Sequence, residues 1–250
     1  EIYKKSIKKS QELGDKYSLG ESNRGLSMVY ASRGEFDKRI KHLNIAKYIF
    51  EELDDKNSLA ICFHDYGLHY GRTECKKSIS YFKKCIELRN QLGNRYDIST
   101  MAMSNPYYLM GEIDKSLACL EEALSSFKSN NNKMRIIFTY THLAEIYFNQ
   151  ADYRNALNYS SLAVKIQKEL TGAHQDNLLV YMYYFISQKY LGIEYNKTQL
   201  NVLIESSKKE AKENKMSFYD DDDCIFPFRL YQLVDDISYL DAAYRVIQQK

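Results

Sequence analysis

Apolar residues recur three or four positions apart along most of the chain. In one stretch Ile40, Leu43, Ala46 and Ile49 fall on a single stripe of an α-helix. Polar connectors such as residues 54–57 interrupt the period and supply side chains that cap the next helix. The pattern therefore predicts a succession of amphipathic helices separated by short polar turns.

Four segments of the chain align with one another, which indicates an internal repeat. The segments are in phase at Phe36, Cys75, Ile113 and Tyr153, at steps of 39, 38 and 40 residues. A second set of equivalent positions carries small residues where two helices must approach closely: Ala46, Cys85, Ala123 and Ala163. A first helix ends upstream of each segment near a tyrosine: Tyr30, Tyr70, Tyr107 and Tyr147. Each unit is thus predicted to be a helical hairpin, with both sets of equivalent positions buried.

The turn and helix residues of these units follow a known pattern. Gly34-Glu35-Phe36 with Ala46, and Gly111-Glu112-Ile113 with Ala123, match it, and the best match is Tyr147 with Asp152-Tyr153, Ala156 and Ala163. The pattern resembles the tetratricopeptide repeat (TPR) in its long variety of about 40 residues, as in bacterial regulators and kinesin light chains. The resemblance implies an all-α fold, a right-handed superhelical solenoid of antiparallel helix pairs.

By the same template the whole chain, residues 1–250, is predicted to be a single TPR-like solenoid. Its parts are the end of a truncated repeat (1–13), clear repeats (20–170) and degenerate C-terminal repeats (175–250). One half-repeat and six hairpins give thirteen expected helices. Pro106 lies inside one of them and should kink it, because proline cannot donate the helical hydrogen bond.

Composition narrows the class of protein further. The chain has 250 residues, with 35 basic and 33 acidic side chains and a net charge of +2, so no nucleic-acid or membrane-surface binding is indicated. Only 2 Pro and 10 Gly occur, which disfavours β-rich folds. The longest uncharged stretch, residues 98–111, is shorter than the roughly 20 residues that span a bilayer.

No catalytic, metal or cofactor site is predicted, and we expect no enzyme activity. His64 and His69 stand five residues apart, off the spacing of a helical metal pair, and the motifs of nucleotide-binding and hydrolytic enzymes are absent. The acidic run 220–223 lacks the ligand spacing of a calcium loop and is interpreted as a solvated turn. The five cysteines are widely spaced and form no C-x-x-C pair: Cys62, Cys75, Cys85, Cys119 and Cys224. Free thiols of this kind favour a cytoplasmic location.

In a stack of helical hairpins the first helices line the concave face, which suits a protein or peptide ligand. If each helix-ending tyrosine is core, the positions six before, two before and two after it face this groove. The candidate peptide-binding residues are Arg24, Met28, Ser32, His64, Leu68, Arg72, Met101, Asn105, Leu109, Thr141, Glu145 and Asn149.

The sequence alone leaves three functions open. The first is a non-catalytic scaffold that binds a protein or peptide and forms part of a signalling or transcriptional regulator. The second, nested in the first, is a peptide-pheromone receptor of the Rap type with an effector domain upstream of residue 1. The third, an enzyme or nucleic-acid binder, has no support in the sequence. Self-association into a homo-oligomer also stays open.

Overall fold

The computed structural model describes residues 1–93, 97–171, 178–213 and 225–248. These residues form fourteen α-helices and no β-strand. The helices are α1 (Ile2–Leu13), α2 (Lys16–Ala31), α3 (Phe36–Glu52), α4 (Lys56–Tyr70), α5 (Cys75–Gln91), α6 (Asp97–Ala102), α7 (Ser104–Leu109), α8 (Ile113–Ser129), α9 (Lys133–Asn149), α10 (Tyr153–Thr171), α11 (Leu178–Tyr190), α12 (Lys197–Glu213), α13 (Ile225–Val234) and α14 (Ile237–Gln248). The predicted all-α class is confirmed.

Polar residues in the connectors start the first helices, as the pattern predicts. The Asp15 carboxylate accepts a hydrogen bond from the Ser18 N–H, and Asp55 accepts from the N–H groups of Asn57 and Ser58. These bonds satisfy amide groups that have no partner inside the first turn of a helix. These connectors therefore fix where α2 and α4 begin.

The helices group into two compact units, residues 1–126 and residues 127–250. In unit 1, α2 packs on α3, α3 on α4, α4 on α5, and α5 on both α6 and α7. Its core contains the fully buried side chains of Leu43, Phe50 and Phe82. In unit 2, α9 packs on α10 and α11, and α11 also contacts α12 and α13. That the chain forms one continuous solenoid stays a prediction.

The first helix of the third repeat is broken, so the structure has one helix more than predicted. α6 ends at Ala102 and α7 begins at Ser104, with Met103 as a turn between them. Pro106 has no N–H to donate to the carbonyl four residues earlier, and its ring excludes a regular helix there. The predicted kink at Pro106 is confirmed, and it amounts to a break.

The two sets of equivalent positions differ in burial. Ala46, Cys85, Ala123 and Ala163 are completely buried, which confirms the predicted close approach of helices. No member of the other set is buried: Cys75, Ile113 and Tyr153 are half-buried, and the side chain of Phe36 is 50% exposed. Phe36 is the first residue of α3, directly after the turn, and its ring lies 6.2 Å from that of His69, between centroids. The prediction of burial was wrong for this set, most clearly at Phe36.

A further column of small residues sets how each first helix is rotated against its partner. Three positions before each helix-ending tyrosine, the side chain is small and buried: Ser27, Gly67, Ser104 and Ala144. The Ser78 hydroxyl of α5 donates to the Gly67 carbonyl at 2.7 Å, and the Ser116 hydroxyl of α8 donates to the Ser104 carbonyl at 2.8 Å. We call this column of small residues the seam. Packing along the seam determines which side of the first helix faces outward.

Candidate functional site

The first helices of unit 1 are neighbours, and polar contacts connect them. Arg24 Nη1 of α2 lies 3.7 Å from Asp65 Oδ2 of α4, and the His64 ring Nδ1 of α4 is 2.8 Å from the Ser99 hydroxyl of α6. Side chains at repeat-equivalent positions of these helices therefore belong to one surface.

Three half-exposed apolar side chains characterise this surface of unit 1. Met28 of α2 is 55% exposed, Leu68 of α4 is 50% exposed and Leu109 of α7 is 51% exposed. Arg72 and Asn105, which the repeat pattern places on the same face, are also exposed. We call these five residues, together with Arg24, the unit 1 surface; they combine apolar contact area with guanidinium and amide hydrogen-bond donors. Met101 is half-buried, and Ser32 is exposed beyond the end of α2.

Two of the predicted groove residues are buried and are removed from the candidate site. His64 is 9% exposed, packs against Phe82 at 5.4 Å between ring centroids and bonds to Ser99. Thr141 is 7% exposed, and its hydroxyl donates to the Ile137 carbonyl within α9. Polar groups this deeply buried need internal partners, and both side chains have taken them.

Arg24 is held by carboxylates from two helices. Its Nη2 donates to Glu21 Oε2 at 2.9 Å within α2, and its Nη1 faces Asp65 across to α4. Arg39 of α3 approaches the same place and donates to the Asp65 backbone carbonyl at 3.1 Å. Burial raises the pKa of the Asp65 carboxyl, and the nearby Arg24 and Arg39 guanidinium groups offset this only in part. This Arg24–Asp65–Arg39 cluster connects two hairpins and leaves Arg24 little freedom to reach a ligand.

In unit 2 the predicted residues Glu145 and Asn149 lie one helical turn apart on α9. Glu145 is half-buried, and its Oε2 lies 3.5 Å from His142 Nδ1. Asn149 is exposed at the end of α9, and its Oδ1 accepts a hydrogen bond from Arg229 Nη2 of α13. The guanidinium of Arg229 also stacks on Phe148, with 4.7 Å between Cζ and the ring centroid. The predicted ligand residue Asn149 is thus already engaged by the chain itself.

Tyr183 of α11 lies between the charged groups of this region. It is buried, and burial raises the pKa of its hydroxyl well above the usual value. The Glu145 carboxylate raises this pKa further, while the Arg229 guanidinium and its hydrogen bond lower it. Tyr183 therefore stays a neutral phenol near neutral pH, able to donate to one group and accept from another.

Elsewhere the described residues offer little reactive chemistry. Cys62, Cys75, Cys85 and Cys119 are free thiols, while Cys224 and the acidic run 220–223 lie outside the described residues. Burial raises the pKa of Cys62 to about 12 and that of Cys119 to about 11, and protonated thiols are poor nucleophiles. Within the described ranges no three His, Cys, Asp or Glu side chains lie close enough to hold a metal ion. None of the helices described here has the length and apolar character that crossing a membrane requires.

Sequence reasoning missed Asp65, Arg39, Tyr183 and Arg229. Their positions follow from packing between helices far apart in the chain, because Arg229 meets Asn149 across 80 residues of sequence. The available signal was an isolated charge in an apolar stretch, as at Arg229 in IFPFRLYQLV. A charge in such a place must find a partner or lie at the surface.

Paired helices with a repeated seam and outward-facing first helices define a helical-hairpin repeat protein. Residues 139–170 match the tetratricopeptide repeat family model. The resemblance inferred from the sequence is confirmed at these residues, since the hairpin of α9 and α10 matches the TPR model.

Solved structures agree on the fold. BtubC (BKLC) from P. vanneervenii superposes with a TM-score of 0.67 over 86% of this chain and 91% of its own, at 16% identity. The apo form of RapI superposes with a TM-score of 0.64 over 92% of this chain and 83% of its own, at 14% identity. At such identities the likeness concerns the fold alone.

A curated relative extends the comparison to sequence. The 43 kDa receptor-associated protein of the synapse from Gallus gallus is 25% identical over 147 residues. The match covers 56% of this chain and 35% of that protein, so this chain spans about a third of the relative's length.

Proposed function

We propose that this chain is a non-catalytic scaffold that binds a protein or peptide on the outward faces of its first helices. The observation that carries the proposal is the unit 1 surface. Met28, Leu68 and Leu109 are each about half exposed on neighbouring first helices, next to the polar side chains of Arg72 and Asn105. Apolar anchors flanked by hydrogen-bonding side chains are what an extended or helical peptide requires.

The structure guides which side chains would contribute most to such binding. Leu68 and Leu109 can bury apolar area, whereas Arg24 is already paired with Glu21 and Asp65. Asn105 is exposed and its amide can bond a peptide backbone without reading its sequence. Affinity is therefore expected to come from the apolar residues, with amides fixing the direction of the ligand.

We further propose that the scaffold is part of a cytoplasmic signalling or transcriptional regulator. The alternative is a peptide-pheromone receptor of the Rap type with an effector domain upstream; it is supported by the fold likeness to RapI over 92% of this chain. The full reading frame decides between them, because an upstream effector domain favours a receptor and its absence favours an adaptor. In either case we expect no direct nucleic-acid binding by these residues, and the oligomeric state is to be measured by light scattering.

The binding site is tested by selecting a peptide from a displayed library against the whole chain. Leu68→Asp places a charge in the proposed interface and should weaken binding about five- to thirtyfold, the range of a substantial interface residue. Asn105→Ala removes one hydrogen bond, worth roughly 0.5 to 1.5 kcal/mol. Tyr48→Asp is the matched control, because Tyr48 is 61% exposed on the second helix α3. If Tyr48→Asp abolishes binding and Leu68→Asp does not, the ligand uses the second-helix surface and the proposal is wrong.

A further inference from the structure

Arg229 connects the last hairpin of unit 2 to the first. It belongs to α13, yet it contacts the end of α9, two first helices away. Its Nη2 donates to Asn149 Oδ1, its Nη1 donates to Gln232 Oε1 at 2.6 Å, and its guanidinium covers the Phe148 ring. An arginine side chain of the protein itself thus contacts Asn149, a residue that the repeat pattern predicts to contact a ligand.

The surroundings of this guanidinium have the composition of an arginine-binding site. Phe148 is 5% exposed and is held rigidly by Tyr190, whose ring meets it edge-on at 5.3 Å, and by Tyr183 at 5.9 Å. The Asn149 amide oxygen accepts at one edge, and Glu145 supplies a carboxylate beside the Tyr183 hydroxyl. A flat aromatic face, a neutral acceptor and a carboxylate together suit a planar cation with several donors. We call Glu145, Phe148, Asn149 and Tyr183 the Phe148 site.

We infer that the Phe148 site binds an arginine side chain of a peptide ligand, and that Arg229 occupies it when no ligand is bound. The inference rests on the proposed function, since it specifies which peptides the first-helix faces of unit 2 recognise. Ligand binding then replaces the intramolecular arginine by an intermolecular one, with the same hydrogen bond to Asn149 and the same contact with the Phe148 ring. The apparent affinity is lowered by the fraction of molecules in which Arg229 holds the site.

Arg229 is suited to being displaced. Its Nε has no hydrogen-bond partner among the described residues, and Asn149 is exposed at the end of its helix. α13 does not depend on Arg229 for its position, because Lys189 Nζ donates to the Gln232 carbonyl at 2.8 Å and contacts Asp235 Oδ2 at 2.8 Å. Leu230 and Leu233 of the same helix are fully buried. Release of Arg229 therefore leaves the helix docked.

The chemistry of the site distinguishes arginine from other ligand groups. A lysine ammonium is a compact, strongly hydrated charge that cannot cover the ring and bond Asn149 in one plane. A carboxylate would face Glu145 and be repelled. Citrulline keeps the planar shape of arginine without the charge, so it separates shape from electrostatics.

The experiment uses L-argininamide as probe and the side-chain amide signal of Asn149 in a nitrogen–proton correlation spectrum as readout. The signal is assigned by its loss in Asn149→Ala. With Arg229→Ala and Arg229→Gln, argininamide should bind about tenfold more tightly than to the wild type, since the competing contact of a few modest interactions is gone. Arg245→Ala on α14 is the matched control, because Arg245 is exposed and its Nε donates to the Asp241 carbonyl of its own helix. Lysinamide and citrullinamide should bind at least several-fold more weakly.

Three results would overturn the inference. Equal binding of argininamide to the wild type and to both Arg229 variants would mean that Arg229 does not compete for the site. Loss of binding in both variants would make Arg229 a ligand contact itself. Lysinamide or citrullinamide binding as well as argininamide would remove the arginine specificity. Arg229→Gln retains a polar side chain and the aliphatic carbons nearest the backbone, so a folding defect of Arg229→Ala, seen by circular dichroism, does not remove the test.

Failure of this inference is distinguishable from failure of the proposed function. If argininamide does not bind the Arg229 variants while a selected peptide still depends on Leu68, only the arginine site is wrong. If argininamide binds as expected while peptides depend on Tyr48, the site stands and the scaffold surface is wrong.

Discussion

Two arginines, one in each unit, reach from one first helix toward another and make different contacts. Arg24 in unit 1 contacts two carboxylates, Glu21 and Asp65, and its side chain is only 20% exposed. Arg229 in unit 2 bonds two neutral amides, those of Asn149 and Gln232, and covers an aromatic ring. A buried charge paired with a buried charge is costly to separate, whereas neutral acceptors at the surface release a cation at little cost. The same residue type therefore serves structure in unit 1 and can serve recognition in unit 2.

The largest expected effect comes from removing the carboxylate of unit 1. Asp65→Ala removes the carboxylate that lies near the half-buried Arg24 and Arg39 side chains, while Arg24 keeps Glu21 and Arg39 keeps its bond to the backbone carbonyl of residue 65. Allowing for partial exposure of Arg24, this should lower the free energy of unfolding by about 2 to 3 kcal/mol. Urea denaturation measures it. Glu21→Ala is the control: Glu21 is 32% exposed on the same helix as Arg24, and its loss should cost about 0.5 kcal/mol. Equal costs for the two variants would show that the Arg24–Asp65–Arg39 cluster is not structural.

The next largest effect concerns the sizes of the two side chains that pack at the seam, which differ between the units. In unit 1 the seam pairs Gly67 with the buried Phe82, and a Cβ on Gly67 would meet the Phe82 ring at 2.5 Å. In unit 2 the equivalent pair is Ala144 with Ser160, both buried. Gly67→Ala should therefore cost about 2 kcal/mol through overpacking.

Two further variants test whether the cost of Gly67→Ala comes from the contact with the Phe82 ring. Gly71→Ala meets no atom closer than 3.6 Å and should leave the thermal unfolding midpoint almost unchanged. Phe82→Leu, which copies the third repeat, should recover part of the loss in the Gly67→Ala background. A Gly67→Ala protein as stable as the wild type would show that the seam is looser than its geometry indicates.

A smaller effect is expected from Arg229→Ala on the stability of unit 2. Because its hydrogen-bond partners Asn149 and Gln232 are neutral amides and Asn149 is exposed, the loss should be about 1 kcal/mol or less. Chemical denaturation followed by tyrosine fluorescence measures it, with Arg245→Ala as reference. A loss as large as that of Asp65→Ala would place Arg229 in the same structural role as Arg24 and contradict the comparison.

The smallest effect is a pH trend. Burial raises the pKa of Asp65 in the folded protein above its ordinary value of 3.8, so the folded state holds this proton more tightly than the unfolded chain. Ionisation of Asp65 therefore costs stability as the pH rises from the ordinary value through the raised one. Asp65→Asn has no such titration. Wild type should lose stability relative to Asp65→Asn on going from about pH 4 to pH 7. A gap that changes in the opposite direction would mean that the arginines outweigh burial.

The sequence by itself determined the hairpins. Apolar spacing, capping side chains and the repeated small residues are local or nearly local features, and they predict α2–α5 and α8–α14 to within a few residues. The break at Pro106 could also be predicted, because proline acts on its own backbone. Met28, Leu68, Asn105 and Leu109, which the groove rule selected, are exposed, since helix periodicity fixes which positions share a face; that they bind a ligand stays a prediction.

Only the tertiary structure decided which polar residues were free to bind a ligand. His64 and Thr141 obey the same periodicity as Leu68 and Glu145, yet neighbouring helices bury them. Asp65 captures Arg24, and Arg229 reaches Asn149 from 80 residues away. Such pairings depend on how closely helices from different hairpins approach and on the energy of burying charge. Both are properties of the packed chain that residue spacing alone does not contain.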